Sequence, residues 1–256
     1  MNLQMNLSLA RGYTSKSQIA KVLTESWLAN QCYCPSCLSL LSYASANARV
    51  LDFICSTCSN QFELKSKKGV FGRKITDGAY SAMIDRLKDS NSPHFFFLNY
   101  SADFKVRNLV VVPSYFLQPS LIERRKPLSD MARRAGWVGC NIIASQIPEA
   151  GKISIVKDYQ AVKAGLVKRL WAKTYFLSSE KNSESRSWML DIISCIERLN
   201  QQTFSLQKIY DFENELSLKH PNNHHVKDKI RQQLQVLRDK GYIDFVRPGL
   251  YKLNGE

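Results

Sequence analysis

Two hydrophobic periods run through the first two thirds of the chain, and together they predict both helices and strands. Apolar residues between Ile19 and Trp27 recur at helical spacing, so we expect a helix over residues 15–30. Ser15 and Gln18 have the spacing of a capping box at its start. A second helix is predicted over 78–88, and strands over 50–54, 61–66, 94–100, 108–113 and 152–157. This mixture indicates an α/β (α+β) fold.

The pattern changes after a small, polar segment at 177–187, which we interpret as a linker. Three helices are then predicted, over 188–199, 205–218 and 223–240, and Gly241 is well placed to end the third. Two strands follow, over 242–245 and 249–253, joined by Arg247-Pro248. Three helices followed by a β-hairpin are typical of a winged helix. We therefore predict two domains, at 1–182 and 183–256.

Charge separates the two predicted domains. The chain carries a net charge of +14, but residues 183–256 hold 11 basic and 10 acidic residues, so +13 lies before them. A surplus of that size favours a polyanionic partner. No apolar run approaches the roughly 20 residues that cross a bilayer, and the N-terminus has no signal-peptide pattern. We expect a cytoplasmic protein, in which cysteine thiols stay reduced.

Four of the seven cysteines form two C-x-x-C pairs separated by 17 residues, a spacing typical of zinc sites. Two such turns complete a tetrahedral shell of four thiolates, which leaves no open position for substrate. We therefore predict structural zinc rather than catalytic zinc, and the alternatives are a redox dithiol or a coincidental spacing. The predicted zinc ligands are Cys34, Cys37, Cys55 and Cys58. The remaining Cys32, Cys140 and Cys195 are expected to be small buried residues.

A carboxylate interrupts the apolar stretch at 50–54, where an unpaired charge would be costly to bury. It is Asp52, and eleven residues later Glu63 and Lys65 fall on one face of the predicted strand 61–66. If the two strands pair, Asp52 and Glu63 supply the oxygen ligands that Mg²⁺ prefers, with the Leu64 carbonyl as a further ligand. Alone, D-x₁₀-E-x-K is a weak pattern that also occurs on solvated strands.

At these residues the chain resembles the PD-(D/E)XK nuclease superfamily and, more closely, the DpnI-type methyl-directed restriction endonucleases. The resemblance covers nearly the whole chain. Its most specific stretches are FELKSKKG at 62–69, DGAY at 77–80, ARRAGWVGCNI at 132–142 and IRQQLQVLRDK at 230–240. Leu51 stands where the superfamily pattern has a proline.

The resemblance implies a type II, Mg²⁺-dependent deoxyribonuclease of a restriction-modification system. Asp52, Glu63 and Lys65 would be its catalytic residues, and the four paired cysteines its zinc ligands. The implied substrate is double-stranded DNA with N6-methyladenine in GATC, contacted by both the nuclease domain and the winged helix. We expect a monomer in solution.

The last predicted helix carries polar residues away from its apolar stripe of Val226, Ile230, Leu234 and Leu237. Arg and Gln can reach base edges in the major groove, and wing cations suit phosphate contact. The candidate DNA-contacting residues here are Asn223, His224, Arg231, Gln232, Gln235, Arg247 and Lys252. Asn223 is also a candidate helix cap. A winged helix used for protein contacts is the alternative.

A second candidate DNA reader lies near residues 126–141, where Trp137 is flanked by Gly136 and Gly139. It includes a basic run, broken by Pro127, of Arg124, Arg125, Lys126, Arg133 and Arg134. An aromatic ring displayed on such a loop could contact a base or its methyl group, whereas plain core packing is the alternative for Trp137.

Two other functions remain open from the residues themselves. One is a non-catalytic DNA-binding regulator built from a zinc ribbon and a winged helix. The other is a nuclease that acts on unmethylated or damaged DNA.

Overall fold

A mixed sheet forms the centre of the larger part of the protein. The computed structural model describes residues 1–45, 51–88 and 92–254, and within these ranges seven strands form the sheet in the order β1-β2-β3-β5-β6-β9-β10. Their bounds are β1 Leu41–Tyr43, β2 Phe53–Cys55, β3 Gln61–Lys68, β5 His94–Tyr100, β6 Val106–Val112, β9 Ile153–Lys157 and β10 Gln160–Ala161. Residue 50 of the predicted strand 50–54 lies outside the described residues.

Parallel pairing in this sheet decides how the chain must run. β3 pairs with β5 in parallel from Phe62↔His94 to Lys68↔Tyr100, whereas β2–β3 and β5–β6 are antiparallel. Parallel strands need a crossover connection. Here the crossover consists of β4 (Ile75–Ala79) and helix α2 (Tyr80–Lys88). Helix α2 thus begins at Tyr80, two residues later than the predicted helix 78–88, because Gly78 and Ala79 belong to strand β4.

A second, smaller sheet was not predicted. Its order within the described residues is β4-β8-β7, with β7 at Ile122–Arg124 and β8 at Gly139–Ile142. Each of these strands has at most five residues, too few to show a clear alternation in sequence. Tertiary pairing, rather than local pattern, creates this sheet.

Helix α1 (Lys16–Gln31) packs on the central sheet. Its residues Leu23, Trp27 and Leu28 are buried in one hydrophobic cluster with Phe62 and other sheet residues. The helix was predicted almost to the residue, but its capping box was wrong. The Ser15 side chain makes no capping hydrogen bond to the helix backbone, and its Oγ lies 2.9 Å from the side-chain Oγ of Ser17 instead.

The predicted linker at 177–187 is also contradicted. Residues Tyr175–Ser179 form a 3-10 helix, and helix α4 runs from Ser183 to Leu199. Asn182 caps α4 by accepting a hydrogen bond of 2.9 Å from the backbone N–H of Ser185. Most of the small polar residues therefore belong to the end of one helix and the largely solvent-exposed first turn of the next, and only residues 180–182 lie in neither.

The chain divides into two compact units, one of Met1–Ile147 with Gly151–Trp171 and the other of Pro148–Ala150 with Ala172–Glu256. Helix α3 spans Ala164–Thr174. The predicted domain boundary at 182/183 remains a prediction. Among the described residues, no helix is both long and apolar enough to cross a membrane.

The second unit contains the predicted helices followed by a β-hairpin. The predicted helix 205–218 is divided into α5 (Leu206–Tyr210) and α6 (Glu213–Lys219), and the predicted helix 223–240 begins at Val226. A short strand before α5, which was not predicted, completes a sheet of order β11-β13-β12 in the described part of the chain. The bounds are β11 Thr203–Ser205, α5 Leu206–Tyr210, α6 Glu213–Lys219, α7 Val226–Asp239, β12 Ile243–Arg247 and β13 Leu250–Leu253.

Candidate nuclease centre and cysteine cluster

Asp52 lies one residue before β2, beside the strand that carries Glu63 and Lys65. Its backbone N–H donates to the Phe62 carbonyl at 3.1 Å, and its Oδ2 accepts a hydrogen bond of 2.7 Å from the Leu64 N–H. The strand pairing that the sequence required is therefore present. It places the Asp52 carboxylate next to the backbone of Glu63 and Leu64.

Glu63 and Lys65 occupy the same face of β3, as alternation predicts. Their side chains form an ion pair in which Lys65 Nζ donates to Glu63 Oε1. Glu63 is only 6% exposed, so its charge needs partners inside the protein. Lys65 is one of these partners.

Two further charged residues complete the cluster, and the sequence did not identify either as functional. Asp77, on β4, pairs through Oδ1 with Lys65. Arg86, on α2, donates from Nη1 to Glu63 Oε2 at 2.6 Å, and its Nη2 lies 3.6 Å from Asp77 Oδ2. Asp77 falls in the DGAY string, but its strand was not recognised. Arg86 looked like an ordinary polar residue on an amphipathic helix.

The cluster has two carboxylates and two cations besides Asp52. Burial opposes the charge of Lys65, but the carboxylates of Glu63 and Asp77 outweigh it and raise the pKa of Lys65. Lys65 is therefore held in its charged form. With Asp52 at its edge, the cluster presents hard oxygen donors of the kind that bind a divalent cation such as Mg²⁺.

The four paired cysteines meet in one cluster. Their Sγ atoms all lie within 4.8 Å of one another, with Cys34–Cys58 at 3.5 Å and Cys37–Cys55 at 3.4 Å. These distances exceed a disulfide bond of about 2.05 Å. They approach the separation of about 3.8 Å that tetrahedral Zn–S bonds of about 2.3 Å would impose. The donor set therefore fits a structural zinc ion.

The two cysteine turns have the same backbone geometry. In the first, the Leu38 N–H donates to the Cys34 carbonyl at 2.8 Å, and in the second the Ser59 N–H donates to the Cys55 carbonyl at 2.8 Å. Leu38 and Ser59 both have positive φ, 69° and 59°. A left-handed residue costs a non-glycine about 1–2 kcal/mol. The same strained turn, formed twice, aims both thiol pairs at one point.

Ionisation of one thiol is favoured before any metal binds. Burial opposes the ionisation of Cys37, but hydrogen bonds with the side chain and backbone of Ser39 lower its pKa to about 6. Burial raises the pKa of Cys34. The cluster thus offers a thiolate at neutral pH, and Asn60 Nδ2 lies 3.9 Å from Cys34 Sγ as an outer donor. The other cysteines, Cys32, Cys140 and Cys195, are buried as predicted.

The cysteine cluster and the charged cluster share the β2–β3 pair. Cys55 ends β2, three residues after Asp52, and Cys58 lies in the turn before β3. The pairing of Ile54 with Gln61 lies between the two clusters. A few residues of paired strand therefore connect the cysteines to Asp52 and Glu63.

The basic run leads through a turn into β8. Trp137 is partly exposed, and the Arg134 guanidinium lies 5.2 Å from the centre of its ring. A Cβ atom at Gly139 would lie 2.8 Å from the ring carbons Cη2 and Cζ3, so the ring rests directly on this glycine. Arg133 and Arg134 are exposed. Trp137 is thus neither a core residue nor freely displayed.

The candidate residues of the winged helix lie mainly on its surface. The stripe Val226, Ile230, Leu234 and Leu237 is buried as predicted. Most of the candidate DNA-contacting residues are exposed: His224, Arg231, Gln232, Gln235, Arg247 and Lys252. Arg231 pairs with Asp228 and donates to the Tyr210 hydroxyl at 2.9 Å. Asn223 is half-buried and accepts from the His225 N–H at 2.9 Å, outside α7, so it does not cap that helix.

Comparison with protein families covers both units. The DpnI model, described as the Dam-replacing family, matches residues 1–180, and the DpnI_C model, described as the Dam-replacing HTH domain, matches residues 184–253. The α/β prediction and the C-terminal winged-helix prediction are both confirmed. The chain therefore belongs to the DpnI family of methyl-directed restriction endonucleases.

Proposed function

We propose that the protein is a type II, Mg²⁺-dependent endonuclease that cuts double-stranded DNA at GATC sites containing N6-methyladenine. The observation that carries the catalytic part is that the Asp52 carboxylate, just before β2, bonds to the backbone of β3 at Leu64, between the ion-paired side chains of Glu63 and Lys65. Family membership supports the methyl-directed class, and the site sequence comes from the resemblance.

Asp52 and Glu63 would hold the cation through carboxylate oxygens, with the Leu64 carbonyl as a further ligand. A bound Mg²⁺ lowers the pKa of a coordinated water and stabilises negative charge that develops on phosphate. Lys65, kept charged by its two carboxylate partners, would orient the attacking water and offset charge on the scissile phosphate. The Leu64 N–H holds the Asp52 carboxylate in place for this role.

The cysteine cluster would hold Zn²⁺ as a clamp on the β2–β3 pair. A closed four-thiolate shell performs no chemistry, but such sites contribute about 10–16 kcal/mol of apparent binding free energy to folding. Because the clamp lies next to Asp52 in sequence, we expect metal loss to reduce cleavage through misplaced carboxylates.

DNA would be contacted by two surfaces. Arg133, Arg134 and Trp137 would form the reader of the first unit, and the exposed residues of α7 with Arg247 and Lys252 that of the winged helix. A single methyl group adds only about 0.8 kcal/mol of apolar contact. Two readers supply more discrimination than one.

Plasmid DNA from adenine-methylating and non-methylating hosts tests the proposal. The wild-type protein should linearise and fragment only the methylated plasmid, in a Mg²⁺-dependent manner, and Asp52→Ala should cut neither. Equal cutting of both plasmids would indicate a nuclease with a different target. DNA binding without cutting of either would indicate a regulator instead.

A further inference from the structure

Glu63, a proposed metal ligand, has a cation on each of its two oxygens. Lys65 pairs with Oε1, and Arg86 donates to Oε2 at 2.6 Å. A divalent cation on Glu63 would meet at least one of these positive groups at close range. Metal binding at this carboxylate therefore requires another negatively charged partner for Lys65 or Arg86.

Asp77 provides that place. Its Oδ1 pairs with Lys65 and accepts from the Gly78 N–H at 2.6 Å, while its buried Oδ2 has no hydrogen-bond partner among the described residues. Arg86 Nη2 lies 3.6 Å from this oxygen, just beyond hydrogen-bonding distance. Arg86 Nε is likewise buried without a hydrogen-bond partner in the described part of the chain. An unused acceptor and a guanidinium with an unused donor thus lie side by side.

Contacts with Met83 and Phe95 hold the Arg86 guanidinium in position between Glu63 and Asp77. Arg86 Nη2 lies 3.2 Å from Met83 Sδ, one turn earlier on α2, and the Arg86 Cζ atom lies 5.7 Å from the centre of the Phe95 ring. These contacts confine the group to the space between the two carboxylates. A shift of well under one side-chain length would move it from Glu63 to Asp77.

We propose that Asp77 and Arg86 are positioning residues that control metal entry, with Arg86 as the counter-ion of Glu63 without metal and of Asp77 with metal. The inference rests on the proposed function, in which Asp52 and Glu63 hold the cation. Asp77 would also retain Lys65 beside the site when Glu63 Oε1 turns to the metal. Neither residue needs to touch the substrate.

The proposal predicts opposite effects for the two residues. Asp77→Asn removes the negative charge of the alternative acceptor and leaves both cations on Glu63, so Mn²⁺ affinity should fall by about tenfold, the scale of a charged hydrogen bond. Arg86→Gln removes a competing cation, so Mn²⁺ affinity should rise by a similar factor. The double variant restores the charge balance and should bind close to the wild type. A merely structural role would weaken binding in both single variants.

The experiment is a calorimetric titration of Mn²⁺ into the zinc-loaded full chain without DNA. Glu123→Gln is the matched control, because it removes a carboxylate from β7 whose partners are Lys74 and Asn141, outside the cluster. Thermal unfolding checks that each variant is folded. The Mg²⁺ concentration for half-maximal cleavage should rise in Asp77→Asn and fall in Arg86→Gln.

The outcomes separate this inference from the proposed function. If Asp52→Ala binds Mn²⁺ as tightly as the wild type does, the proposed metal site itself is wrong. If binding depends on Asp52 but both single variants weaken it, or Arg86→Gln leaves it unchanged, only the transfer of Arg86 is wrong. Should Asp77→Asn fail to fold, the sign of the Arg86→Gln effect alone decides.

Discussion

A single methyl group at Gly139 should displace the side chain that we propose reads methylated adenine. In Gly139→Ala, the new Cβ would lie 2.8 Å from Cη2 and Cζ3 of Trp137. Carbon atoms pack at about 3.5–4.0 Å, so the ring must move by about 1 Å. The backbone of β8 can stay in place, because the clashing atoms are the far end of a side chain.

The consequence should appear in discrimination rather than in stability. A contact with one methyl group contributes about 0.8 kcal/mol, so its loss should lower the preference for methylated over unmethylated duplex by about fourfold. Binding of both duplexes is measured by fluorescence anisotropy without Mg²⁺. Gly72→Ala is the matched control, because a Cβ atom there meets nothing within 4 Å.

Two results would refute this reasoning. A Gly139→Ala protein with the wild-type preference, alongside a Trp137→Ala protein that loses it, would mean that Gly139 does not position the ring. A wild-type preference in Trp137→Ala would mean that Trp137 does not read the methyl group at all.

Three further predictions concern the metal centres and the wing. Asp52→Asn should reduce cleavage by more than about a hundredfold. That figure is the upper end of the cost of altering an outer-shell partner of a metal, and Asp52 is a proposed direct ligand. The unfolding midpoint should change little. Cys58→Ala should lose bound zinc, measured by elemental analysis, together with thermal stability and cleavage. Cys195→Ala, in a buried cysteine of the other unit, should keep its zinc and shows the cost of a core cysteine alone. Arg247→Gln should weaken binding to all duplexes alike and reduce the salt slope of log affinity by about 0.9, as expected for one phosphate contact.

Local pattern was sufficient where the physics is local. The two C-x-x-C turns needed only their spacing, because each turn closes on itself and the antiparallel pairing of β1 with β2 brings both together. The short β2–β3 connection places Asp52 beside the backbone of Glu63 and Leu64. Strand alternation in β3 correctly placed Glu63 and Lys65 on one face. Helical periodicity likewise identified α1 and the stripe of α7.

The local sequence pattern gave wrong predictions where polar residues could belong to a loop, a helix start or a short strand. The polar residues before Trp188 looked like a linker, but they form the capped first turn of α4, whose apolar side begins only later. The strand β4 is short and partly polar, and its pairing with β8 comes from elsewhere in the chain. Such strands form because a partner far along the chain completes their hydrogen bonds. A short stretch of sequence around the strand does not contain that partner.

By itself, the sequence determined the two cysteine turns, the strand pair that carries Asp52, Glu63 and Lys65, and the apolar stripe of the last helix. Tertiary structure alone decided that Asp77 and Arg86 join them. The parallel pairing of β3 with β5 forces a crossover between these strands, and that crossover is built from β4 and α2. It returns two charged side chains to a face of the sheet where Glu63 is buried and needs counter-ions. Residues 14 and 23 positions beyond Glu63 thus become its neighbours through chain topology, a relation that local periodicity does not encode.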